Sequence, residues 1–158
     1  QLPPEIKDHA HTQGLKLFDD EELLKIWRNN LKGISFTDSK GNILHGAVDN
    51  ILMKGKKLIV LDYKTRGYAL KEDTTEFYQN QIDIYTFLLQ KNGLETEDYA
   101  FLLFYIPSKV LETGEVVFET VLARRSVDVK QAEKTWTSAL KMLNSECPDT
   151  YCEWCERF

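Results

Sequence analysis

Asp49, Asp62 and Lys64 are charged residues set in runs that otherwise read as buried β-strand. From Leu58 onward, four apolar residues lead directly into Asp62-Tyr63-Lys64. Side chains alternate across a strand, so Leu58, Val60, Asp62 and Lys64 share one face while Ile59, Leu61 and Tyr63 share the other. An acid and a base therefore project together from a strand whose earlier residues on that face are apolar. In the preceding run Ile43, His45, Ala47, Asp49 and Ile51 share a face, and Asp49 lies between Val48 and Ile51. If the two runs pair through the turn at Lys54-Gly55-Lys56, Asp49 comes close to Asp62. Two carboxylates at one point repel and raise each other's pKa unless a cation stands between them. A hard divalent ion such as Mg2+ suits that place, because it takes oxygen ligands and often only one or two protein carboxylates. Held there, it can polarise a phosphoryl oxygen and lower the pKa of a bound water. Lys64, a compact charge beside the acids, would then orient the water or stabilise the phosphate. The plainer alternative is a structural Asp62–Lys64 ion pair at a strand end, with Asp49 in a bulge; surface pairs of that kind contribute little.

The elements that must carry these residues follow from periodicity and turn signals. The first stretch, to about residue 19, has two early prolines and little periodicity, and reads as an irregular arm. A helix is expected from Asp20, with Glu21 and Glu22 in its first turn, Leu23, Leu24, Trp27 and Leu31 on one face, and Gly33 as its end. Between Gly33 and Lys64, turns at Asp38–Asn42 and Lys54–Lys56 separate three β-rich runs, which predicts a three-stranded antiparallel meander. A second helix is expected over about 75–91, with Phe77, Ile82, Tyr85, Leu88 and Leu89 as its apolar stripe and Asn92-Gly93 as its stop. Gln81 stands four residues before Tyr85 and so shares its face. Two further strands flank Glu112-Thr113-Gly114, and a last helix over about 128–144 turns Val129, Ala132, Trp136, Leu140 and Leu143 inward.

Composition narrows the class. A chain of 158 residues with 42% hydrophobic and 28% charged residues can bury one sizeable core, so a single domain over 1–158 is expected. No apolar run approaches the roughly 20 residues that span a bilayer, so no membrane partner is expected. A net charge of −5 argues against a protein that coats nucleic acid, though not against an acidic site beside a basic strip. Lys54, Lys56, Lys57, Lys64, Arg66 and Lys71 form the densest such strip, which reads equally as a solvated hairpin and loop. Three cysteines, all in the tail over about 145–158, make a poor disulfide framework and suit a reducing, intracellular (cytoplasmic) compartment. The chain begins at Gln1 rather than methionine, as a piece of a longer protein would.

Taken in order, Gly46-Ala47-Val48-Asp49, then Asp62-Tyr63-Lys64, then Gln81 with Tyr85 resemble the motif set of RecB-type nuclease domains in the PD-(D/E)XK superfamily. Similar domains occur in CRISPR-associated exonucleases and helicase-nucleases. The resemblance covers roughly residues 33–154, and implies an α/β (α+β) restriction-endonuclease-like fold with a mixed sheet flanked by helices. It implies a Mg2+- or Mn2+-dependent nuclease hydrolysing phosphodiester bonds in DNA, in repair, recombination or processing, with a helicase or other repair protein as partner. Asp49, Asp62 and the backbone carbonyl of Tyr63 would hold the metal. Lys64 would be the catalytic base or stabiliser, and Gln81 and Tyr85 would position DNA or the active-site residues. Some relatives also hold a four-iron (4Fe-4S) cluster on four cysteines. Cys147, Cys152 and Cys155 match three of these, with no upstream cysteine for the fourth. A fourth ligand beyond this sequence, a non-cysteine ligand, zinc with a histidine, or a bare Cys-x-x-Cys all remain open. Many relatives add an upstream histidine ligand; His9, His11 and His45 do not match it by motif, and none is assigned. The alternative from another class is a weakly active or inactive nuclease-fold module that binds DNA or a partner in a larger assembly.

Overall fold

The computed structural model describes residues 2–146 and 153. In chain order the elements are β1 (Lys16–Leu17), α1 (Glu21–Trp27), β2 (Ile34–Thr37), β3 (Ile43–Gly46), β4 (Asn50–Lys54), β5 (Lys57–Thr65), α2 (Gln79–Lys91), β6 (Tyr99–Val110), β7 (Val116–Ser126) and α3 (Val129–Leu143). Five strands form one mixed sheet in the order β1-β4-β5-β6-β7, and β2 and β3 form a separate hairpin. β4 and β5 are antiparallel, while β5 and β6 are parallel. Parallel neighbours need a crossover between them, and here α2 supplies it. The fold is the α+β, restriction-endonuclease-like arrangement of a mixed sheet flanked by helices.

The alternation read from β5 holds. Leu58 and Val60 enter a core with Leu24 and Trp27 of α1 and Ile82, Leu88 and Leu89 of α2. Ile59 and Leu61 enter the opposite core, which Ile6 and Leu15 of the N-terminal stretch cover. That stretch also places β1 on the sheet edge, Leu17 opposite Leu52. Residues Tyr99–Phe104 of β6 are buried without interruption, as a strand covered on both faces must be.

The expected three-stranded meander is instead four strands in two sheets. The middle run breaks at Ala47–Asp49, because the Val48 N–H donates to the carbonyl of Trp27 at 3.1 Å and leaves no ladder partner there. The first helix ends at Trp27, not near Gly33. Asn29 Oδ1 accepts from the N–H groups of Leu31 and Lys32, which competes with helical bonding, and Leu31 is 93% exposed. The second helix opens with a 3-10 turn over Glu76–Tyr78. That tighter winding turns Phe77 outward, to 74% exposure, rather than into the stripe. In α3 only Ala132 is fully buried, since the helix packs on α2 through its first turns and leaves Leu143 exposed.

Candidate active site

The site lies where β5 outruns β4. The register pairs Asn50 with Leu61, so Asp49 and Asp62 occupy the next position beyond the end of the ladder. Asp49 sits in a bend rather than in a strand, and its Oδ2 accepts the Tyr63 N–H at 2.8 Å. Within a strand the N–H and C=O of one residue face the same neighbour, so the Tyr63 carbonyl also faces this edge, past the first residue of β4.

Asp62 is 2% exposed, unlike an ordinary strand-end acid. Burial pushes its carboxyl group up from the ordinary aspartate value; Lys64 pulls it back, and the neighbouring Asp49 pushes it up again. Oδ2 forms an ion pair with Lys64 Nζ and has no further donor among the described residues. Two carboxylates beside one ammonium leave excess negative charge at a buried place, which favours a further cation.

Lys64 is half-buried beneath the Tyr78 ring, 4.7 Å from its centroid, and donates to Gln81 Oε1 at 2.8 Å. A lysine offers only donors, so the Gln81 amide must turn its oxygen to Lys64. Its Nε2 then donates to the Tyr85 hydroxyl at 2.8 Å. Tyr85 thus accepts from Gln81 and keeps its own proton to give. Burial first, and Asp62 and Asp49 after it, raise the phenol above its ordinary value, which keeps that proton in place. Gly46 explains how the Tyr85 ring comes so close, since a Cβ there would lie 2.9 Å from Tyr85 Cε1.

The structure therefore brings Asp49, Asp62, Lys64, Gln81 and Tyr85 into one connected cluster. Among the described residues no group of three or more His, Cys, Asp or Glu comes together, so His9, His11 and His45 do not join the two acids. Cys147, Cys152 and Cys155 lie outside the described residues. Two contributors escaped the sequence reading. Arg28, at the end of α1, donates from Nε to the Asp49 carbonyl at 2.7 Å and pins the bend. Tyr78 roofs Lys64 and accepts from Arg66 Nη1 at 3.1 Å. Neither carries a local signal; Arg28 is 21 residues from the group it holds.

The donor set fits a hard divalent cation. Two adjacent carboxylates and a carbonyl on one edge are oxygen ligands, and among the described residues the buried Asp62 carboxylate has Lys64 as its one ion-pair partner. The model of the PD-(D/E)XK nuclease superfamily matches residues 7–157, nearly the whole chain. The protein belongs to that superfamily, whose members are generally nucleases and typically use divalent metals such as Mg2+ or Mn2+. No curated protein matches the chain. Among the described residues no helix is long and apolar enough to cross a membrane.

Proposed function

We propose that the protein is a divalent-metal-dependent deoxyribonuclease of the RecB type, one domain over residues 1–158, serving intracellular DNA repair, recombination or processing. The observation that carries this reading is the buried Asp62 facing Asp49 at the open end of β5, with Lys64 as its one ion-pair partner among the described residues. Asp49, Asp62 and the Tyr63 carbonyl would hold Mg2+ or Mn2+. When bound, such an ion supplies Lewis acidity toward a phosphoryl oxygen and lowers the pKa of water.

The chain's own residues do the rest. Lys64 has three donors, of which one goes to Gln81 and one faces Asp62. The third is left to hold a phosphate oxygen or the attacking water, where fixed positive charge stabilises the charge that develops on phosphorus. Gln81 and Tyr85 keep the Lys64 ammonium in register, and the Tyr85 proton offers a further hydrogen bond toward the substrate. Arg28 holds Asp49 in its bend, so the two acids stay paired.

The test is cleavage of labelled DNA in Mg2+ and in Mn2+ by wild type, Asp62→Asn and Lys64→Ala, each checked for folding by circular dichroism. Cutting that needs the metal and is lost in both variants supports the reading; equal cutting by all three rejects it. The net charge of −5 and, among the described residues, a site of no more than two carboxylates favour a second reading, a DNA-binding or partner module with a helicase or other repair protein. A folded wild type that binds DNA and cuts it in neither metal would select that reading.

A further inference from the structure

The five-stranded sheet has two unlike edges. At one, β1 is two residues long, the short kind of strand that blunts an edge against pairing. At the other, β7 runs eleven residues, and no strand of the described residues pairs with its outer side. It carries no proline and no lysine. The bulge in its ladder puts the extra residue, Ser108, on β6, so the outer strand runs on without a break. α3 follows β7 in the chain but packs on α2. Phe118 and Val121 of β7 are left 45% and 40% exposed. A long open edge beside exposed apolar side chains is a template for another strand.

The ladder with β6 shows which backbone groups are open. The Val127 N–H donates to the Asp98 carbonyl at 3.0 Å, so Val127 faces β6. Residues two apart face the same neighbour. Arg125, Ala123, Val121 and Glu119 therefore face β6 as well, opposite Ala100, Leu102, Phe104 and Ile106. Thr120, Leu122 and Arg124 turn both N–H and C=O to the open side. Gln79 Nε2 donates to the Ser126 carbonyl at 2.8 Å, which closes the edge beyond Arg124.

Side chains then select the partner. Two antiparallel copies of β7 about a two-fold axis at Leu122 set Leu122 against its own copy, Thr120 against Arg124, Val121 against Ala123, and Glu119 against Arg125. The last two pairs are of the kind without hydrogen bonds between them, where side chains lie closest. Opposite charges stabilise such a pair and like charges destabilise it. Among the described residues neither Glu119 nor Arg125 has an ion-pair partner. Arg125 gives its Nε to Gln79 Oε1 at 3.2 Å, and its two Nη groups remain for an acid. Moving the axis to Val121 or to Ala123 sets Glu119 against Ala123 or Val127, and both ion pairs are lost.

We infer that the open edge pairs with a second copy of this chain, β7 against β7 about a two-fold axis at Leu122, joining two sheets into one. The two β5 strands then run in opposite directions, so the two candidate sites open away from each other and neither completes the other.

The experiment is sedimentation equilibrium over about 1–500 μM, since one strand edge is a contact at the small end of specific interfaces. Wild type should pass from monomer to dimer within that range. Glu119→Arg and Arg125→Glu should each weaken association roughly tenfold or more. Mixed in equal amounts they restore both ion pairs, and the mixture should dimerise as wild type does. Thr120→Pro removes an N–H that faces the open side, a place where an edge strand tolerates proline. It should keep the circular dichroism of wild type and lose the dimer. Hydrogen exchange locates the contact: the Leu122 amide of wild type should slow as concentration rises. If Arg125→Glu does not fold, Glu119→Arg and Thr120→Pro decide. The inference is overturned if wild type is a monomer throughout, or if the dimer survives both Glu119→Arg and Thr120→Pro. It is equally overturned if two folded charge variants stay monomeric when mixed, or if Leu122 exchange ignores concentration.

Discussion

Asp62 and Asp83 are two acids buried alike, at 2% and 1% exposure, and burial pushes both carboxyl groups above the ordinary aspartate value. Their surroundings differ. Asp83 Oδ1 accepts from Gln79 Nε2 at 2.8 Å and from the Asp128 N–H at 2.9 Å. It thereby ties the start of α2 to the N-cap of α3, and Arg125 adds a compensating charge nearby. Asp62 faces Asp49, a second acid, and its Oδ2 is met by the Lys64 ammonium and by no other donor among the described residues. A buried acid that its own fold completes serves the fold. One that faces a second acid with a single lysine beside it is left incomplete in charge, and is poised to hold a further cation.

Substitution can break that comparison. The largest effect is expected at the incomplete acid: Asp62→Asn or Lys64→Ala should cut DNA cleavage by about a hundred- to a thousandfold or more, while Asp83→Asn cuts as wild type. Gel assays with folded variants measure this directly. Next comes the completed acid. Asp83→Leu strands the Gln79 amide and the Asp128 N–H, at about 1–3 kcal/mol in urea denaturation. Asp83→Asn retains the accepting oxygen and should stay close to wild type. Gly46→Ala drives a Cβ toward the Tyr85 ring. It should cost about 1–3 kcal/mol and lower kcat as Tyr85 and Gln81 shift.

The smallest effect is the slope of stability against pH. A folded-state pKa above the unfolded one means that the native chain keeps a proton the unfolded chain has already lost. Stability therefore falls as pH rises from the ordinary aspartate value through the raised one. Asp83→Asn removes one such group, so its denaturation midpoint should vary less steeply across that window. An unchanged slope would mean that Asp83 is fully compensated by its partners.

Much of this contrast was legible in the sequence. Strict alternation over Leu58–Lys64 gave both cores and the direction of Asp62, and the Lys54–Lys56 turn set the register that brings Asp49 beside it. The i to i+4 spacing of Gln81 and Tyr85 predicted their shared face, which their hydrogen bond fills. What escaped were effects that no local pattern encodes. Ile43 to Ile51 alternates as one strand would, and only a distant carbonyl on Trp27 breaks it at Val48. Phe77 fits a helical stripe by spacing, but the 3-10 turn changes its phase. The burial of Asp83 was missed because an acid inside a helix reads as solvated; its partner at the N-cap of α3 is 45 residues away.

The most direct test is thermal denaturation of wild type, Asp62→Asn and Asp83→Asn with and without Mn2+. A ligand that binds only the native state raises Tm. Mn2+ should raise Tm for wild type and for Asp83→Asn, and leave Asp62→Asn where it stood. An equal shift in all three, or a shift lost only in Asp83→Asn, would contradict the assignment of the incomplete acid as the metal-holding one.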